Sequence, residues 1–223
     1  MSDQRLASAP VTLSDVERLH YLKLLGIPTW LPRGSAELST PPAFTDWRDL
    51  TTSLPTCQRC HLHAAHSTFP PLSGSGDHHA TWFFVTHAPT LPALKAGEIL
   101  NAAAADLFSA MLTALGLLRE QIYLSAAVKC VIAGRAPPSP CADYYLKEEI
   151  ALVKPRIIIA FGEAAAMALL PESAPLQRGH PYPLAQSGAQ SQLLMTHAPD
   201  YLLANPLAKR EAWIDLLRAK SLQ

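Results

Sequence analysis

Apolar and polar positions along the chain change rhythm at Cys57. Beyond it, four short runs are β-prone: "TWFFVT" (81–86), "QIYLSAAVK" (121–129), "RIIIAFG" (156–162) and "QLLMTH" (192–197). Their apolar residues are consecutive rather than alternating, the pattern of parallel strands buried on both faces. Between them "AAAADLFSAMLTALGLL", "ADYYLKEEIALVK" and "EAAAMALL" read as helices. A closing helix, "NPLAKREAWIDLLRAKSL", has Asn205 as N-cap and Pro206 at its first helical position. Strands alternating with helices predict an α/β domain over 57–223, a three-layer parallel sheet wound right-handedly and covered on both sides. In such sheets ligands sit beyond the carboxyl ends of the strands.

Before Cys57 the pattern differs. "TLSDVERLHYLKLLGIPTW" predicts a short amphipathic helix: Ser14 and Glu17 have capping-box spacing, Val16, Leu19, Leu22 and Leu25 share a face, and Gly26 stops it. The Pro-, Ser- and Thr-rich stretch that follows predicts a linker over 35–56, leaving 1–34 as a tethered helix and peptide. A helix this short is marginal alone, so it either packs on its own domain or serves a partner.

The 18 basic and 18 acidic residues cancel, so the chain has no overall electrostatic footprint for gripping DNA phosphates. No apolar run approaches the length of a membrane span, and the N-terminus lacks the features of a signal peptide, which predicts a cytoplasmic protein. In a reducing compartment the four cysteines are candidate metal ligands. Cys57 and Cys60 form a C-x-x-C, Cys130 ends a strand, and Cys141 follows a Pro-rich turn. Four thiolates can hold tetrahedral zinc or an iron–sulfur cluster, and a wide second pair beside prolines suits a cubane cluster better. His61, His63, His66, His78 and His79 read as solvated loop residues.

Thr-His-Ala-Pro occurs twice, at 86–89 and 196–199, each time where a strand empties into a loop. The order "CQRC", "VTHAPT", "AAVKC", Cys141, "PRIIIAFG", Arg178-Gly179 and "HAPDYLLAN" resembles the iron–sulfur uracil-DNA glycosylases. That resemblance implies their fold and a 4Fe–4S cluster on Cys57, Cys60, Cys130 and Cys141. It also sets a chemical requirement: a flipped base must be held and read while water attacks the sugar. By the same resemblance, His87 stands where the family has a carboxylate and Ala126 where it has a base-reading asparagine. The stacking phenylalanine falls in "KAGEILN", which has no aromatic. Ala198 takes the place of the catalytic histidine, because His197 sits one position early. Each such group is worth a factor of about 10² to 10⁴, so the residues predict a degenerate former site and no catalysis.

"LKLLGIPTWLPRG" in turn resembles the N-terminal peptide of the psi subunit of the bacterial DNA polymerase III clamp loader, through Leu25, Gly26, Ile27 and Trp30. This second resemblance implies a non-enzymatic subunit docked on the gamma/tau ATPase collar through Leu22, Leu25, Gly26, Ile27 and Trp30. It would be joined through the chi subunit to single-stranded-DNA-binding protein, with weak or no DNA contact of its own. The expectation is therefore a clamp-loader adaptor, with a divergent uracil or damaged-base glycosylase as the alternative.

Overall fold

The computed structural model describes Leu22, Phe44 and residues 46–58, 70–130, 141–171, 173–186 and 189–223. The chain falls into two units, Met1–Thr40 and Pro41–Gln223, and in the first only Leu22 is described, as helical and half-buried. Leu25, Gly26, Ile27 and Trp30 therefore lie outside the described residues.

The second unit is built on a six-stranded sheet. Its strands are β1 (Ser75–Gly76), β2 (Trp82–Thr86), β3 (Ile122–Ala126), β4 (Ile157–Phe161), β5 (Pro181–Gln186) and β6 (Ala189–Thr196), in the order β1-β3-β2-β4-β6-β5. The four inner strands, which are the four apolar runs of the sequence, are mutually parallel. Each edge strand is antiparallel to its neighbour. The edge strand β5 precedes the apolar run that predicted β6 and carries a signal of its own only in part: Tyr182 and Leu184 bury one face of β5 against the core while Pro183 stays exposed.

Side chains of the inner strands alternate between two cores. Phe83, Val85, Tyr123, Ile158, Ala160 and Leu193 meet α4 (Lys147–Val153) and α5 (Glu163–Met167) on one face. Trp82, Phe84, Ile122, Leu124, Ile157, Ile159, Phe161 and Leu194 meet α3 (Ala102–Leu115) and α7 (Lys209–Lys220) on the other. Three layers result, as the sequence predicts. Gly116 ends α3 in the left-handed conformation, φ 75°, and α4 is entered through a π-helical turn at Ala142–Leu146.

The stretch read as linker carries a helix, α1 (Trp47–Ser53). Asp46 caps it by accepting the Asp49 N–H at 2.9 Å, and its single apolar stripe puts Leu50 and Leu54 against Cys57 and Tyr145. Three threonines and serines in its last turn hydrogen-bond back to helix carbonyls, which is why composition alone reads the segment as loop.

The α3-side core turns on Phe84, whose ring lies 5.0 Å edge-on to Phe108 and 5.8 Å from Phe161. Phe84→Ala should cost about 3–5 kcal/mol in urea unfolding with an unchanged m-value. Leu217→Ala, on the exposed side of α7, should stay within about 0.5 kcal/mol.

Candidate active site

The loops that leave β2, β3, β4 and β6 share the carboxyl edge of the sheet, and backbone bonds hold them in register past the strand ends. The Ala127 N–H donates to the Thr86 carbonyl and the Val128 N–H to the His87 carbonyl, both at 2.8 Å. On the other side the Gly162 N–H donates to the Thr196 carbonyl, also at 2.8 Å. Both Thr-His-Ala-Pro segments are thus fixed at this edge, on β2 and β6. Only β4 stands between those strands, so their backbones are roughly 10 Å apart at the usual interstrand spacing.

The first histidine, His87, lies on the surface at the mouth of its loop. Desolvation by its surroundings lowers its imidazole pKa from the ordinary 6.5. Behind it Thr90 caps α2 (Leu91–Lys95), accepting the Ala93 N–H through its hydroxyl.

The second histidine belongs to a charged network. His197 Nε2 lies 3.1 Å from Glu211 Oε2 on the first turn of α7, and its ring stacks on Tyr201 at 4.8 Å. Arg178 reaches the same Glu211 oxygen at 3.2 Å and donates to Asp215 Oδ2 at 2.6 Å. The hydrogen bond from His197, then the Arg178 charge, hold the exposed Glu211 carboxyl below its usual range. Asp215 is buried and also accepts the Thr196 hydroxyl at 2.7 Å, which ties the end of β6 to α7. Nearby, Asn101 caps α3 and donates to Asp200 at 2.7 Å, on the first turn of α6 (Pro199–Ala204).

The other two positions of the expected site offer no polar group. Ala126 is buried in the α3-side core, and the methyl of Ala198 packs against the same core. The structure thus brings His87 and His197 to one edge. It adds Arg178, Asn101 and Asp200, which lie in stretches the family resemblance already marks, and Glu211 and Asp215, which no local motif marks because α7 supplies them from beyond the strand-end loops.

Cys57, Cys130 and Cys141 are buried, and Cys60 lies outside the described residues. Cys130 and Cys141 share one apolar cluster with Val128 and with Ala88 of the first histidine loop. Cys57 packs with Leu50, Leu54 and Tyr145, and Tyr145 lies on the turn that Cys141 opens. Soft thiol donors in apolar surroundings fit the donor chemistry of an iron–sulfur cluster. Among the described residues no three metal-ligating side chains converge.

The model of the uracil DNA glycosylase superfamily matches residues 73–218, which include all six strands. This chain belongs to that superfamily. Proteins named type-4 uracil-DNA glycosylase resemble it along most of their length. The one from Archaeoglobus fulgidus is 26% identical over 174 residues, 73% of this chain and 86% of the relative. That from Pyrobaculum aerophilum is 28% identical over 182 residues, 77% and 91% of the two chains. That from Thermotoga maritima is 26% identical over 175 residues, 74% and 88%.

These matches overturn the reading of the chain as a non-enzymatic psi-type subunit. Superfamily membership and the names of the relatives point to DNA glycosylases, and nothing in them supports gamma/tau ATPase, chi or single-stranded-DNA-binding protein as partners. The expectation of weak or absent DNA contact falls with it. The peptide resemblance rested on the few residues from Leu22 to Trp30, whereas the superfamily match spans the sheet itself. Among the described residues no helix is long and apolar enough to cross a membrane.

The Arg178–Asp215 junction depends on Gly179, whose φ is 68° and where an added Cβ would lie 2.4 Å from Asp215 Oδ1. Gly179→Ala should lower stability by more than the roughly 1–3 kcal/mol of a left-handed non-glycine residue, measured by thermal unfolding. Gly97→Ala, at φ 73° with nothing within 4 Å of its added Cβ, should show the backbone cost alone.

Proposed function

We propose that the chain is a DNA glycosylase that hydrolyses the N-glycosidic bond of uracil, or of a related damaged base, in DNA. The observation that carries this reading is His87. It is surface-placed at the carboxyl edge of a superfamily sheet, in the loop after β2, with a pKa lowered so that the imidazole is neutral at pH 7.

In this mechanism a nucleotide is extruded from the strand and its sugar is presented to the loops after β2 and β6. Water bonds to the anomeric carbon, its proton passes to the neutral His87 imidazole, and the base departs with the electron pair of the broken bond. His197 acts beside it. Donating its Nε2 proton to the Glu211 carboxylate leaves the other ring nitrogen as an acceptor and fixes the ring against Tyr201. Ala126 and Ala198 contribute no hydrogen bond to base or transition state, so turnover is slow relative to an enzyme with polar groups there.

Cys57, Cys60, Cys130 and Cys141 would hold a 4Fe–4S cluster, which would serve as a structural closure between the start of the domain and the loop after β3. The apolar cluster of Val128, Cys130 and Cys141 packs against Ala88 of the first histidine loop. Anaerobically purified protein should contain about four irons and four acid-labile sulfides per chain. Cys130→Ser and Cys141→Ser should each lose them, and zinc without sulfide would contradict this assignment.

The activity test is excision from uracil-bearing and lesion-bearing single and double strands under single-turnover conditions. His87→Ala should lower the rate by about 10² to 10⁴. Because burial lowers the His87 pKa, the neutral, active form persists as pH falls below 6.5, and the acid limb of the wild-type profile should lie under that value. Ala198→His should raise the rate by on the order of 10². An acid limb that His87→Ala leaves in place would remove His87 from the mechanism.

A further inference from the structure

Three fully buried polar side chains lie under the first histidine loop, and none belongs to the site described above. Ser125 sits on β3, Lys129 in the loop after it, and Glu149 on α4, all without solvent exposure. Glu149 Oε2 accepts from the Ser125 hydroxyl at 2.5 Å and from Lys129 Nζ at 2.6 Å, while Lys129 Nζ also donates to Ser125 Oγ at 2.7 Å. The other carboxylate oxygen accepts the Gly74 N–H at 3.0 Å.

An ion pair so deep is costly to desolvate, and a pair of apolar side chains would fill the same space at less cost. Its retention calls for a geometric reason. The network joins three separate segments: the 71–74 stretch before β1, the 125–129 end of β3, and α4. Gly74 itself tolerates no side chain, since an added Cβ would lie 2.3 Å from the Tyr123 ring.

Lys129 is the hinge of this arrangement. Its carbonyl accepts the Leu72 N–H at 2.8 Å, so side chain and backbone are anchored together. One and two residues earlier, the Val128 and Ala127 amides grip the carbonyls of His87 and Thr86. The bend at 127 to 129 is therefore pinned at one end by the ion pair while its amides hold the histidine loop at the other.

We infer that Ser125, Lys129 and Glu149 are positioning residues for His87: their buried network holds the 127–129 backbone so that its amides fix the histidine at the catalytic edge. The catalytic part of this inference rests on the glycosylase reading. The mechanical part does not.

The experiment compares the wild type with the double substitution Lys129→Met and Glu149→Leu, which removes both charges together and avoids leaving one buried without a partner. Ser125→Ala, which keeps both charges, is the second variant. Hydrogen exchange is followed at the Ala127 and Val128 amides and, as reference, at the amides of β4 and β6. Excision kcat and KM are measured alongside.

In the double variant the two amides should exchange at least about tenfold faster while the β4 and β6 amides keep their wild-type rates, a pattern that global destabilisation would not give. Excision kcat should fall by about 10² with KM nearly unchanged, as for a misplaced catalytic group. Ser125→Ala should show the same two amides affected, less strongly. Wild-type exchange at Ala127 and Val128 in the double variant, or equal acceleration throughout the sheet, would overturn the inference. If the wild type excises nothing, the glycosylase reading fails, and the exchange data still decide whether the network holds the loop.

Discussion

Four parallel strands with both faces buried make an unpaired polar side chain costly in the middle of this molecule, and among the described residues the Trp82 indole N–H is the buried polar side-chain atom left without a partner. Polar chemistry is therefore pushed to the strand ends or gathered into networks that satisfy one another. Both outcomes are present. Thr196, Asp215 and Arg178 join the end of β6 to α7, and Ser125, Lys129 and Glu149 join the end of β3 to α4. Each network lies behind one of the two histidine loops. The carboxyl edge consequently offers titratable side chains on a rigid backbone.

The inner strands were legible in the sequence because double-sided burial writes consecutive apolar residues, as in "WFFV" and "IIIAF". The edge strands were not. Ser75–Gly76 is two exposed residues with no apolar signature, and β5 contains two prolines, which are tolerated there because an edge strand has one unpaired side. The helix α1 hid among threonines and serines that bond to its own carbonyls. At the site, His87 and His197 could be found from the repeated tetrapeptide, but their partners could not. Glu211 lies 14 residues after His197 in sequence, and Glu149 lies 75 residues after Gly74; only the fold brings each pair together.

The loss of family side chains at Ala126 and Ala198 was legible too, and it misled. Counted as independent losses, the replaced groups predict no catalysis, and the short N-terminal peptide then predicts an adaptor. The superfamily match over 73–218, and relatives covering most of their own length, outweigh that peptide. An imidazole held neutral by desolvation is able to take a proton, so the histidine that stands at position 87 is compatible with the proposed glycosylase reading.

Cys130 and Cys141 share their apolar cluster with Ala88, so this part of the cysteine corner packs against the first histidine loop. Everything in the account converges on whether that edge breaks a glycosidic bond. The most direct measurement is the release of free uracil, detected by mass, from a uracil-bearing single strand incubated with excess anaerobically purified protein. Glycosylase chemistry at this edge predicts free base and a matching abasic strand from the wild type, with both lost in His87→Ala. An intact strand after prolonged incubation with cluster-loaded, folded protein, for uracil and for the lesion panel alike, would contradict it.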